Sequence, residues 1–226
     1  MTNWAALNHA YGSAEDLPAL LDRLETEPTG ELWGELWSRL CHQGSTYSAS
    51  FAAFPWLAGV ARGEDDSQRE HAVLLAGAIV ASTPDQAGPI KQRYAAEITG
   101  LQSAAEELLH HPGEGYVYRL QAYLALEGVP VWGRELDRLV HGEYEISCRV
   151  CGLGLLVTIS DADGSFSENP SGERCPLRPS PPVDLRRLGR RLHELAVSVN
   201  EHALASNLQA PVRRGGMPRL WRGFTT

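Results

Sequence analysis

Apolar residues recur at helical spacing through the first part of the chain. In Glu15–Leu24 they are Leu17, Leu20, Leu21 and Leu24, one face of an amphipathic helix. Ser13, with Asp16 three residues on, has the outline of a capping box before it. Pro28 and Gly30 break the pattern. A second run, Leu32–Leu40, places Leu32, Trp33, Leu36, Trp37 and Leu40 on one side, and Gly44 follows as a stop.

A second pair follows. Ser48–Ala61 directs Phe51, Phe54, Leu57, Ala58 and Ala61 inward, and Pro55 predicts a kink or a late helix start. Beyond the polar turn Gly63–Asp66, the sequence Ser67-Gln-Arg-Glu70 is a full capping box leading into Ala72–Ala81. Further runs span Ile90–Leu109, Val117–Glu127 and Trp132–Val140, punctuated by Pro84 and Pro130. Two such helices cannot cover both of their own apolar flanks, and stacking on a neighbouring pair solves that.

The stretches DLPALLDRL (16–24) and AAFPWLAGVARGEDDSQREHAVLLAGAI (52–79) resemble HEAT/armadillo-type helical repeats. The second has a proline in a first helix, a short acidic turn, and Arg69 opening a second helix. The resemblance extends over about residues 14–140 and implies a mainly α fold, a HEAT-like α-α solenoid. The alternative is a compact all-α bundle without true repeats. Expected domains are 1–142 (helical repeats), 143–183 (a β-hairpin and loop with a cysteine knuckle) and 184–226 (a C-terminal helix and basic tail packing on the solenoid).

Glu143–Ile159 changes character, being rich in β-branched residues, and predicts a hairpin of Tyr144–Arg149 and Leu155–Ile159. Cys148 and Cys151 form C-x-x-C before Gly152, the spacing of a zinc knuckle. Cys175 begins a second half that resembles the other knuckle of a zinc ribbon, but Arg178 stands where a fourth ligand would be. His141 is the nearest substitute. Three readings stand: one structural zinc on three cysteines and a histidine, a ribbon that has lost its metal, and unrelated cysteines. Ser160–Pro182 reads as a long loop. Its Asp-Ala-Asp-Gly-Ser start lacks the acidic twelfth residue of a calcium loop, where Gly172 stands.

Asp184–Ser206 predicts a long helix with a seam of Leu185, Leu188, Leu192, Leu195 and Val199. Arg186, Arg187, Arg190 and Arg191 crowd its first turns, against the helix dipole, and are candidate anion- or partner-binding residues. Trp221 and Phe224 lie among arginines in the tail after it. Residues 1–173 carry ten Lys+Arg against 25 Asp+Glu (−15), and residues 174–226 carry ten against three (+7), giving −8 in total. The acidic part repels nucleic acid and suits a basic protein partner.

The polar turn Cys41–Tyr47 joins two helix pairs, and His42, Gln43 and Tyr47 are the first candidates for a binding surface. Adjacent Cys41 and His42 cannot activate each other, because neighbours in sequence do not face one another. The chain has no G-x-S-x-G, phosphate loop, H-E-x-x-H or dinucleotide fingerprint. The start, Met1–Tyr11, lacks a basic flank followed by a long apolar run, and Ala72–Ala81 is too short to cross a bilayer, so a cytoplasmic location without membrane attachment is expected. The expected function is a non-enzymatic interaction scaffold or inhibitor, in one version an immunity-type protein that masks a basic toxin. The alternative is a HEAT-like nucleic-acid-binding or base-processing protein that uses the C-terminal arginines.

Overall fold

The computed structural model describes residues 2–82, 87–129, 132–139, 143–147, 154–158, 165–167, 185–202 and 204–205. They form a mainly α-helical protein with small β-hairpins. The chain divides into two compact units. One comprises Met1–Leu109 and Tyr118–Arg134, the other His110–Val117 and Glu135–Thr226.

The first unit opens with a 3-10 turn, Trp4–Ala6, and a miniature hairpin, β1 (Asn8–His9) and β2 (Gly12–Ser13). Helix α1 (Leu17–Thr26) buries the four leucines named from the periodicity. Asp16 stands at its N-cap, but its carboxylate makes no capping hydrogen bond, so the expected Ser13–Asp16 box is not formed. Helix α2 (Gly30–Leu40) starts on a true cap, with the Thr29 hydroxyl accepting from the Leu32 amide at 3.3 Å. Trp33, Leu36 and Leu40 are buried, whereas Trp37 is partly exposed at the edge of the stripe.

A second hairpin, β3 (Cys41–His42) and β4 (Ser45–Thr46), joins α2 to the next helices. The late start foreseen at Pro55 is realised. A short helix α3 (Ser48–Ala52) ends at Ala53, and α4 (Phe54–Ala61) begins with the proline in its first turn, where a missing N–H costs nothing. Helix α5 (Asp66–Ala81) is capped two residues earlier than expected, by Asp65 accepting from the Gln68 amide at 3.1 Å. Arg69 closes the turn before it, donating to the Gly63 carbonyl at 2.7 Å and pairing with Asp66 at 3.0 Å.

The run expected at Ile90–Leu109 is divided at Tyr94 into α6 (Ala87–Arg93) and α7 (Ala95–Leu108). Helix α8 (Tyr116–Glu127) ends in a left-handed glycine, Gly128 at φ +83°. The Val129 amide bonds to Leu124 and the Gly128 amide to Ala125, which is a Schellman closure. The side-chain amide of Gln102 donates to the Leu126 carbonyl at 3.0 Å, satisfying one more carbonyl of that last turn. Two glycines permit close backbone approach. Gly77 of α5 lies against Ala122, and Gly133 of the short α9 (Trp132–Glu135) lies against Ala125.

The core is built from Phe54, Leu57, Leu75, Ile79, Leu101 and Leu124, all fully buried. Helices α4, α5 and α7 pack on one another, and α2 packs on both α1 and α5. This mutual packing establishes a mainly helical domain and does not by itself show a regular translated repeat.

The second unit holds a 3-10 turn, Leu136–Leu139, and an antiparallel sheet in the order β5 (Glu143–Ser147), β6 (Gly154–Thr158), β7 (Ser165–Ser167). The expected hairpin is present in register Glu143↔Thr158, but β7 occupies part of the segment expected to be a loop. Helix α10 spans Leu185–Ser198, shorter than the expected Asp184–Ser206, and Asn200 follows it at φ +62°. Leu192, Ala196 and Val199 are buried. No helix among the described residues is long and apolar enough to cross a membrane.

Candidate functional site

The two miniature hairpins lie side by side at one end of the α1–α2 pair. The Ala10 amide donates to the Arg39 carbonyl at 3.0 Å, and the Asn8 amide donates to the Ser48 hydroxyl at 2.9 Å. Below them, the buried Ser50 hydroxyl donates to the Leu40 carbonyl and accepts the Tyr47 amide at 2.8 Å, closing the base of β3–β4. The turn of this hairpin, Gln43–Gly44, has positive φ at both residues (+49° and +74°), as a type I′ turn demands. Glycine takes that conformation freely, whereas Gln43 is held in it by the pairing on either side.

Tyr11 stands at the crest of the first hairpin, 63% exposed. Its ring meets the rings of His9 and His42 edge-on, at centroid distances of 6.0 and 5.6 Å. Its phenol oxygen lies 3.4 Å from His42 Nδ1. Beneath it His9 is buried, and both of its ring nitrogens are committed. Nδ1 lies 2.9 Å from the Tyr11 amide, which can only donate, so Nδ1 carries no proton. Nε2 therefore bears the hydrogen and donates to Asp16 Oδ1 at 2.9 Å. The other Asp16 oxygen accepts from Arg39 Nε at 3.1 Å, and Arg39 pairs with Glu35 at 2.9 Å. Burial pushes the Asp16 carboxyl up, but hydrogen bonds from Arg39 and His9, with the charge of Arg39, outweigh it and hold its pKa below the ordinary carboxylate value.

This arrangement has the parts of a histidine–aspartate dyad but no free imidazole nitrogen at His9 to take a substrate proton. Cys41 and His42 are neighbours in a strand, so their side chains leave on opposite faces. Cys41 is buried with its sulfur 3.7 Å from the Ser82 hydroxyl, and burial pushes its thiol pKa up, away from the reactive thiolate. Among His9, Cys41 and His42 the geometry brings no nucleophile and base together.

At the opposite end of the same helix pair, an open groove of about 290 Å³ is lined by Glu27, Glu31 and Glu35, with Arg23. Arg23 lies 4.0 Å from Glu35. A line of alternating charge thus runs along the pair from Asp16 through Arg39 and Glu35 to Arg23.

Of the residues singled out in the sequence, His42, Gln43 and Tyr47 fall together on this double hairpin. Arg186, Arg187, Arg190 and Arg191 lie on α10, with Arg190 and Arg191 exposed. Tyr11, His9, Asp16 and Arg39 were not foreseen, and only the glycine after Tyr11 hinted at a turn there. The expected structural zinc is corrected: among the described residues no group of His, Cys, Asp and Glu could hold a metal ion, so no cofactor is assigned. Cys148, Cys151 and Cys175, which were to hold it, lie outside the described residues. No protein-family model matches the chain, and no curated protein or solved structure does either.

Proposed function

We propose that this chain is a non-enzymatic docking module, a stack of helix pairs acting as an interaction scaffold or immunity-type inhibitor for a basic protein partner. The observation that carries the proposal is Tyr11. It is a large amphipathic side chain, mostly exposed, yet held between two tight turns by its amide on the buried His9 ring and its phenol beside His42. Rigid exposed aromatics are favoured contact anchors because little side-chain freedom is lost when they are covered. The carboxylates of the α1–α2 groove supply the charge that suits a basic partner.

An arginine-rich peptide tests this by calorimetric titration at low and high salt. The expected result is a salt-sensitive complex, weakened roughly tenfold or more by Tyr11→Ala, as for an anchor worth about 2 kcal/mol. The Glu27→Gln/Glu31→Gln double variant should weaken it as well. No complex at low salt, or one indifferent to all three changes, refutes the proposal. A low-salt gel shift with DNA in place of the peptide favours the nucleic-acid alternative instead.

A further inference from the structure

We infer that the Tyr11 anchor is proton-gated, with His9 as the positioning residue that releases it when its Nδ1 gains a proton. The inference rests on the docking role of Tyr11 and adds its regulation. His9 Nδ1 is the acceptor of the Tyr11 amide, and Nε2–H is already given to Asp16. A proton arriving at Nδ1 sets two N–H donors against each other, and the Tyr11 amide loses its acceptor.

What yields is decided by what else is held. The ring stays, because Asp16, itself fixed by Arg39, binds an imidazolium more strongly than a neutral imidazole. The chain before Tyr11 stays, because the Ala10 amide remains on the Arg39 carbonyl. The chain after it is Gly12, at φ +123°, paired with His9 across the hairpin but, as a glycine, able to change conformation without a Cβ clash. The movement therefore falls on Tyr11 and Gly12, and it carries the phenol away from His42.

The ionisable groups around His9 come from each packed element. They are Asp16 at the start of α1, Arg39 with Glu35 behind it on α2, His42 on β3, and Tyr11 itself. Helix α3, β2 and the Trp4–Ala6 turn bring no charge. Among the described residues His42 is the one other imidazole in contact with Tyr11. With a hydrogen on Nδ1 it meets the phenol oxygen as donor, and without one as acceptor, so the contact stays in place either way.

The test is the amide proton shift of Tyr11, followed by NMR from pH 8 to pH 5 in the full chain, with no partner added. In the wild type it should move upfield along a one-proton curve that coincides with the His9 ring nitrogens. The curve should persist in His42→Gln. It should vanish in His9→Gln, whose amide keeps a donor and an acceptor at every pH. A Tyr11 shift that is constant with pH, or that survives in His9→Gln, overturns the gate. If His9→Gln does not fold, a mismatch between the Tyr11 and His9 ring curves in the wild type does so. The readout needs no ligand. A gate without peptide binding therefore overturns only the docking proposal, and peptide binding without a gate overturns only this one.

Discussion

Replacing Gly77 by alanine sets two known effects against each other. Within a helix, alanine is favoured over glycine by about 0.5–1 kcal/mol, because it restricts the unfolded chain. A Cβ at Gly77, however, would sit 2.7 Å from both Cα and Cβ of Ala122 and 3.2 Å from its carbonyl oxygen. Carbon atoms rest about 3.5–4.0 Å apart, so the shortfall is roughly 1 Å against the backbone of α8, which has no rotamer to change. Overpacking of this kind costs about 1–3 kcal/mol. The steric effect wins because the shortfall falls on backbone, which puts the cost in the upper part of that range, and Gly77→Ala should destabilise the protein by up to about 2.5 kcal/mol after deducting the gain in propensity. Gly34, mid-way along α2, has nothing within 4 Å of its added Cβ. Gly34→Ala should therefore stabilise by about 0.5–1 kcal/mol. Urea unfolding followed by circular dichroism reads both as midpoint shifts of opposite sign at unchanged slope. A Gly77→Ala variant as stable as the parent would show that α5 and α8 are not in backbone contact.

Asp65→Ala removes the cap of α5 and should cost about 1 kcal/mol in the same urea assay. His71, stacked on Trp33 at 5.2 Å, has its pKa lowered by burial, which outweighs the nearby charge of Glu70. A lowered histidine pKa means that the folded state resists a proton the unfolded chain accepts. Its contribution to stability is present above the ordinary histidine value and is lost as pH falls through the folded value. His71→Phe should flatten that part of the stability–pH profile, and a profile identical to the parent's would contradict the burial argument. Cys41, with its thiol pushed up, should resist a thiol-directed reagent at pH 8 until the protein unfolds, measured with Cys148, Cys151 and Cys175 replaced by serine.

The helices were legible because leucine spacing reports burial directly. Leu17, Leu20, Leu21 and Leu24 are all inside, as are Leu32, Trp33, Leu36 and Leu40. Caps were less so, because a short acidic side chain near a helix start has competing partners. Asp16 turns instead to His9 and Arg39, and at α5 Asp65 takes the role that Ser67 was expected to fill. The hairpins escaped because two-residue strands are too short for any alternation to show. Of the proposed contact surface, Cys41–Tyr47 stands out in the sequence through its clustered polar and aromatic residues. Arg39 and the Tyr11–His42 contact do not, since they depend on pairing across 23 to 31 residues of chain that no local pattern encodes. Nor does His9, since it meets Tyr11 and Asp16 only through a hairpin too short to show in the sequence. The zinc expectation shows the reverse weakness: a C-x-x-C spacing is suggestive even where no complete ligand set follows it.

The closure of α8 bears on how this chain tolerates insertions and deletions. With Gly128 turning the backbone and Gln102 reaching across from α7, the exit of α8 is fixed. The next helix is anchored at once by the Gly133 amide on the Val129 carbonyl, with Gly133 pressed against Ala125. One residue added between Val129 and Gly133 would put a different side chain at that crossing, turned by about 100°. Length variation among natural relatives should avoid this connection.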